Sequence, residues 1–201
     1  MDSCHPRRTS CPPRKGRRRR DLESMVAEYL RTPQGDAAEA RFFRHMPSLD
    51  LAIHYAALAI WKDGRSFRHQ NPIVTTARSK AKLALTRVST RIHACTSFHA
   101  LHSILCEVLN PIRGLGPLYI YDCASRLGYY LKLSPEYIYL HAGTRHGAKA
   151  LGLDHRRDYL AKQDVPLPLR VLAAAQIESF LCIYRGAFTA IRREVDASDE
   201  P

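Results

Sequence analysis

Gly114 and Gly116, one residue apart in Ile112-Arg113-Gly114-Leu115-Gly116-Pro117, are the residues whose spacing best suits a chemical task. Glycine takes positive φ and lets backbone approach a ligand closely. Pro117 suits the first position of a new helix, where a missing N–H costs nothing. The amides that follow lack intrahelical partners and carry the positive end of the helix dipole. The turn therefore reads as an anion site made of backbone. A tight turn between two core helices, with no ligand, fits the same residues.

Polar groups crowd the stretch that follows. Asp122 and Arg126 are four apart, the spacing of an ion pair on one helix face. Facing solvent, the pair contributes a few tenths of a kcal/mol, about 0.3. Facing a pocket, Arg126 becomes a phosphate fork with Asp122 as its positioner. His141 titrates near neutrality and can serve as general acid or base, although a hydrogen-bonded core histidine is the commoner role. Arg145 and Lys149 share a helical face and read as a second ridge for phosphate. Tyrosines 119, 121, 129, 130, 137 and 139 can stack on bases or fill a core.

"IRGLGPLYIYDCASRLG" resembles the hairpin of helix-hairpin-helix DNA-binding proteins, in particular the helix-hairpin-helix DNA glycosylases. The resemblance covers roughly residues 97–141 and implies a grip on the phosphate backbone through main-chain amides near the two glycines. Arg113, Gly114, Gly116, Arg126, Arg145 and Lys149 are then the candidate nucleic-acid contacts. Those glycosylases place a catalytic Asp some twenty residues past the second glycine, on a loop leading into the next helix. Twenty positions after Gly116 stands Glu136. The resemblance makes Glu136 the candidate carboxylate; for an enzyme, Asp122 is the alternative, with His141 assisting at a glycosidic carbon. Here Glu replaces Asp, and the family's Val-Asp-x-His surroundings are absent. A carboxylate in the first turn of a helix is also favoured by the dipole alone. Bacterial proteins with a "GLGPLYIYD…YLHAG" hairpin and a late "IESFLCIY" helix offer a looser likeness, which supports one domain to about residue 190.

These groups need helices to hold them, and the helix period dominates from Asp21 onward. Leu22, Met25, Val26, Tyr29 and Leu30 form one apolar stripe. Ser48 suits the N-cap of "LDLAIHYAALAIW", Ser97 that of "SFHALHSILCEVL", and Ser134 with Pro135 the start of a helix holding Glu136. Arg78, Lys80, Lys82, Arg87 and Arg91 scatter over the polar side of a helical stretch. "LPLRVLAAAQIESFLCIYRGAFTAIRR" reads as a helix with Leu172, Ile177, Phe180 and Leu181 on one face. Alternation of period two is confined to "LYIY" and "YIYL". The sequence predicts an all-α domain at 21–193 with helix-hairpin-helix at 97–131, a disordered basic tail at 1–20 and an acidic tail at 194–201.

Charge supports a polyanion partner. The chain of 201 residues carries a net +12. Residues 1–20 hold eight Lys/Arg against Asp2, residues 194–201 hold four acids, and the remaining body is still +9. Such a surplus also occurs in proteins that bind nothing. Of six cysteines none forms C-x-x-C or a zinc quartet, so free thiols are predicted, with no metal or cofactor. Lacking a secretory signal or spanning segment, the chain is expected in the cytoplasm. Three readings stand: a DNA-binding protein of glycosylase-like fold, a base-excision or nucleotide-modifying enzyme, and a helical protein-interaction module.

Overall fold

A computed structural model describes residues 21–32, 36–67 and 73–196. The basic tail 1–20 and residues 197–201 of the acidic tail lie outside the described residues. Among the described residues the protein is all-α apart from one two-stranded ribbon. The helices are α1 (Leu22–Arg31), α2 (Asp36–Arg44), α3 (Leu49–Leu58), α4 (Thr75–Arg87), α5 (Ser89–His93), α6 (Phe98–Leu109), α7 (Pro117–Leu131), α8 (Ala142–Ala150) and α9 (Ala174–Asp196). The last of these runs three residues into the predicted acidic tail.

Local chemistry sets most boundaries. Asp21 accepts from Ser24 N–H at 2.7 Å to open α1, Ser48 from Leu51 N–H to open α3, and Ser97 from Ala100 N–H to open α6. Strand β1 (Ile138–Tyr139) pairs antiparallel with β2 (Tyr159–Leu160). Residues 133–137, predicted to begin a helix, are instead extended or bent. The short alternation in "YIYL" is therefore strand, and its partner lies twenty residues on. α9 begins at Ala174 rather than near Leu167, because Pro166 and Pro168 hold a 3-10 helix at Leu167–Val171.

Two apolar clusters make the core. The first gathers α2–α7, with Phe43, Ile53, Leu85, Leu101, Leu105 and Tyr119 all under 2% exposed. The second joins the two ends of the described chain. Met25, Val26 and Tyr29 of α1 pack with Ile177, Phe180 and Phe188 of α9, and Tyr29 meets Phe180 edge-on at 5.5 Å. Helix α8 lies on α9 at very short range: a Cβ on Gly147 would sit 2.2 Å from the Leu181 carbonyl oxygen. No helix among the described residues is long and apolar enough to cross a membrane.

Candidate nucleic-acid interface and adjoining cavity

Helices α6 and α7 and the seven residues between them form the predicted helix-hairpin-helix. The chain leaves α6 through Ile112 N–H, which donates to Leu109 O at 3.0 Å. It then turns back as Leu115 N–H donates to Ile112 O at 3.2 Å. Ile112 and Leu115 pack on the first core and anchor the turn from beneath. Only Gly114 adopts positive φ, at +94°. Gly116 is extended (φ −109°, ψ 174°) and serves as N-cap of α7, with Pro117 following at its first turn. Both glycines are exposed.

The hairpin's own bonds leave α7's start open. Ile120 N–H begins the helical ladder on Gly116 O, and no side chain caps the helix. A Cβ on Gly116 would meet nothing within 4 Å. Exposed Arg113 sits in the turn. Ala77 of α4 lies beside Gly114, and exposed Lys80 is one turn further along that helix.

The other predicted cations are placed differently. Arg126 is 3% exposed; its Nε donates to Glu39 at 2.6 Å, and its guanidinium lies 4.1 Å from the centre of the Phe67 ring. Burial opposes its charge, but Glu39 and then Asp122 outweigh that and raise its pKa. A group so enclosed does not reach a phosphate on the surface. Arg145 donates to the carbonyls of His155 and Arg157, both at 2.8 Å, and to Asp158 at 3.1 Å. It knits the segment before β2 rather than forming a ridge with Lys149, which is exposed. Arg78 is buried against Leu58 O and Ser66 Oγ, off the polar face assigned to it from sequence.

A cavity of about 980 Å³ lies where the two cores meet, beside α7. Trp61, Phe67, Phe98 and Tyr121 give it aromatic walls, and Asp122, Arg126, His141 and Glu178 supply its polar groups. His141 is the N-cap of α8 and 3% exposed. Its main-chain N–H donates to Thr144 Oγ1 at 2.7 Å, and its Nε2 is hydrogen-bonded to Glu178 Oε1. Ser179 Oγ approaches the other Glu178 oxygen at 3.3 Å. Two buried atoms in this wall, Arg126 Nη1 and His141 Nδ1, have no hydrogen-bond partner. Burial, then Glu178, pushes the Tyr121 hydroxyl well above its usual range and also raises the Cys182 thiol. Neither ionises at neutral pH, so the cavity's negative charge rests on carboxylates.

Of the three carboxyl and imidazole candidates, Asp122 and His141 come together at the cavity and Glu136 does not. The Glu136 carboxylate accepts from the main-chain N–H of Phe98 at 3.1 Å and of His99 at 3.2 Å, closing the start of α6. Its neighbours Ser134 and Pro135 line the cavity instead. Counting residues from Gly116 therefore led to a helix-capping acid, whereas the side chain at the actual entry to the next helix is His141. Glu178 and Glu39 escaped sequence reading. The signal for Glu178 was an acid in apolar register, four residues after Ala174 and three before Leu181.

The thiols of Cys95, Cys106, Cys123 and Cys182 are free, and no metal-ligand cluster exists among the described residues. Comparison of the chain with family models, with curated proteins and with solved structures gives no match.

Proposed function

We propose that this chain binds DNA by its phosphate backbone through the hairpin between α6 and α7. The carrying observation is the uncapped start of α7, exposed at Gly116 and Pro117 and half-buried at Leu118, reached past a glycine at φ +94° and flanked by Arg113. Free amides, the positive dipole end and adjacent cations together suit an anion. The likeness to helix-hairpin-helix DNA-binding proteins supports the same reading. The +9 body adds sequence-independent attraction.

Gly116→Asp tests this sharply. Its backbone has N-cap geometry and open space, so the carboxylate caps α7 and stabilises the fold by a few tenths of a kcal/mol, about 0.3. The same carboxylate occupies the amides and repels phosphate. Expected is a more stable protein with at least about tenfold weaker duplex binding and a shallower slope of log affinity against log salt. Undiminished affinity in Gly116→Asp removes the hairpin from the interface.

The cavity favours a second reading, a base-excision or nucleotide-modifying enzyme. A buried carboxylate held by a histidine, with Asp122 nearby, can stabilise positive charge developing at a sugar carbon as a glycosidic bond lengthens. Incubation with oligonucleotides carrying modified or mismatched bases, scored for abasic sites, measures it directly. Asp122→Asn and Glu178→Gln remove the activity, and Glu136→Gln retains it.

A further inference from the structure

A second concavity lies on the opposite side of α2. Helix α2 is two-faced: Glu39 turns toward Arg126 and the cavity, whereas Ala38, Arg41, Phe42 and His45 line a separate groove of about 740 Å³ against α3. Its apolar floor includes Phe42, Met46, Leu51 and Tyr55, and its polar rim is Arg41, Lys62 and the imidazole of His45. Among the described residues no acidic side chain lines it.

The floor is rigid and incompletely covered. Phe42 stands edge-on to Tyr55 at 5.3 Å and leans on Trp61 at 5.4 Å. Pro47 and the Ser48 cap fix the corner between the helices. Leu51 remains 40% exposed at the groove's margin. His45 Nδ1 donates to Arg41 O at 2.8 Å, which directs its Nε2 outward from α2. Preorganised apolar surface beneath a one-signed rim is the composition of a recognition site.

We infer that the α2–α3 groove docks a short acidic peptide segment of a partner protein, with bulky apolar side chains on the floor and carboxylates against Arg41, His45 and Lys62. Charge complementarity selects the acidic partner. The aromatic floor selects a peptide over DNA, because a phosphodiester backbone gains nothing from Phe42 and Leu51, whereas a leucine or phenylalanine side chain loses its water there. The volume suits two or three such side chains, roughly, at the size of ordinary ligand clefts.

The test pans a short-peptide display library against the full chain and measures the enriched peptide by fluorescence anisotropy. Expected is enrichment of Asp and Glu beside Phe, Leu or Trp. Arg41→Glu and Leu51→Asp each weaken that peptide at least about tenfold, as truncated rim and floor contacts do. Both side chains are at the surface, and Asp at position 51 falls in the first turn of α3, where the dipole favours it, so the variants fold. Gly116→Asp leaves peptide affinity unchanged, which separates this groove from the hairpin reading. Enrichment without acidic residues overturns the inference. So does peptide binding indifferent to Leu51→Asp, or a polyaspartate or duplex DNA that displaces the peptide as well as unlabelled peptide does.

Discussion

Gly114 and Gly116 look equivalent in sequence, yet the backbone separates them. At φ +94° Gly114 occupies a region that L side chains avoid, whereas Gly116 is extended and unobstructed. Gly114→Ala is expected to cost about 1–2 kcal/mol in urea denaturation, and Gly116→Ala less than about 0.5 kcal/mol. His102 makes a different residue-scale prediction. Burial, then the neighbouring His99, lowers its pKa from 6.5 to about 4, against the ring of Tyr139 at 4.2 Å. The folded state keeps this imidazole neutral while the unfolded chain takes a proton near 6.5. Its contribution is thus whole above pH 6.5 and drains away as pH falls toward 4, on the order of 3 kcal/mol. Urea midpoints of the wild type and of His102→Gln across that window check it: the variant follows a flatter profile.

At the scale of elements, the hairpin was the most legible part of the sequence. Its signals are local: Ser97 opens α6, Pro117 opens α7, and an unbroken helical stripe runs between each and its end. The failures came where tertiary contacts outvoted local ones. Ser134 and Pro135 carry good helix-start chemistry, but the Glu136 carboxylate is drawn to the amides of α6 and Ile138–Tyr139 to β2. Arg78, assigned to a polar face, is buried because the Leu58 carbonyl and the Ser66 hydroxyl meet it; of the two placements open to Arg126, the pocket one holds, with Glu39 from a distant helix meeting it. The His141–Glu178 pair spans 37 residues, a separation no periodicity reports. Gly147 supplies the element-scale prediction. A methyl there collides with Leu181 O, so Gly147→Ala must push α8 off α9. A loss of about 3 kcal/mol, or no folded protein, is expected by circular dichroism and thermal melting.

For the whole molecule, two separately packed cores meet at the cavity, and the groups with chemical potential gather at that seam. Helix α7 runs from the exposed turn at Gly114–Gly116 into the cavity wall at Tyr121, Asp122 and Arg126. One rigid helix therefore couples where a backbone would be held to where its contents would be handled. A body of +9 gives long-range attraction that salt screens within about 10 Å. The groove on α2 lies on the other face of that helix from Glu39, so occupancy of the groove and of the proposed hairpin interface would be independent.

The union of α1 with α9 in the second core has a consequence for birth on the ribosome. Met25, Val26 and Tyr29 emerge early, but the surface that shelters them, Leu169 and Leu172 of the 3-10 segment with Ile177 and Phe180 of α9, is made only late in synthesis. Until then α1 trails as a greasy, unclaimed lead while the first core, whose buried members all precede Leu140, can close. A nascent chain halted before Leu167 should show protease cutting within α1 and resistance across α3–α7. Completing translation should then protect both ends together.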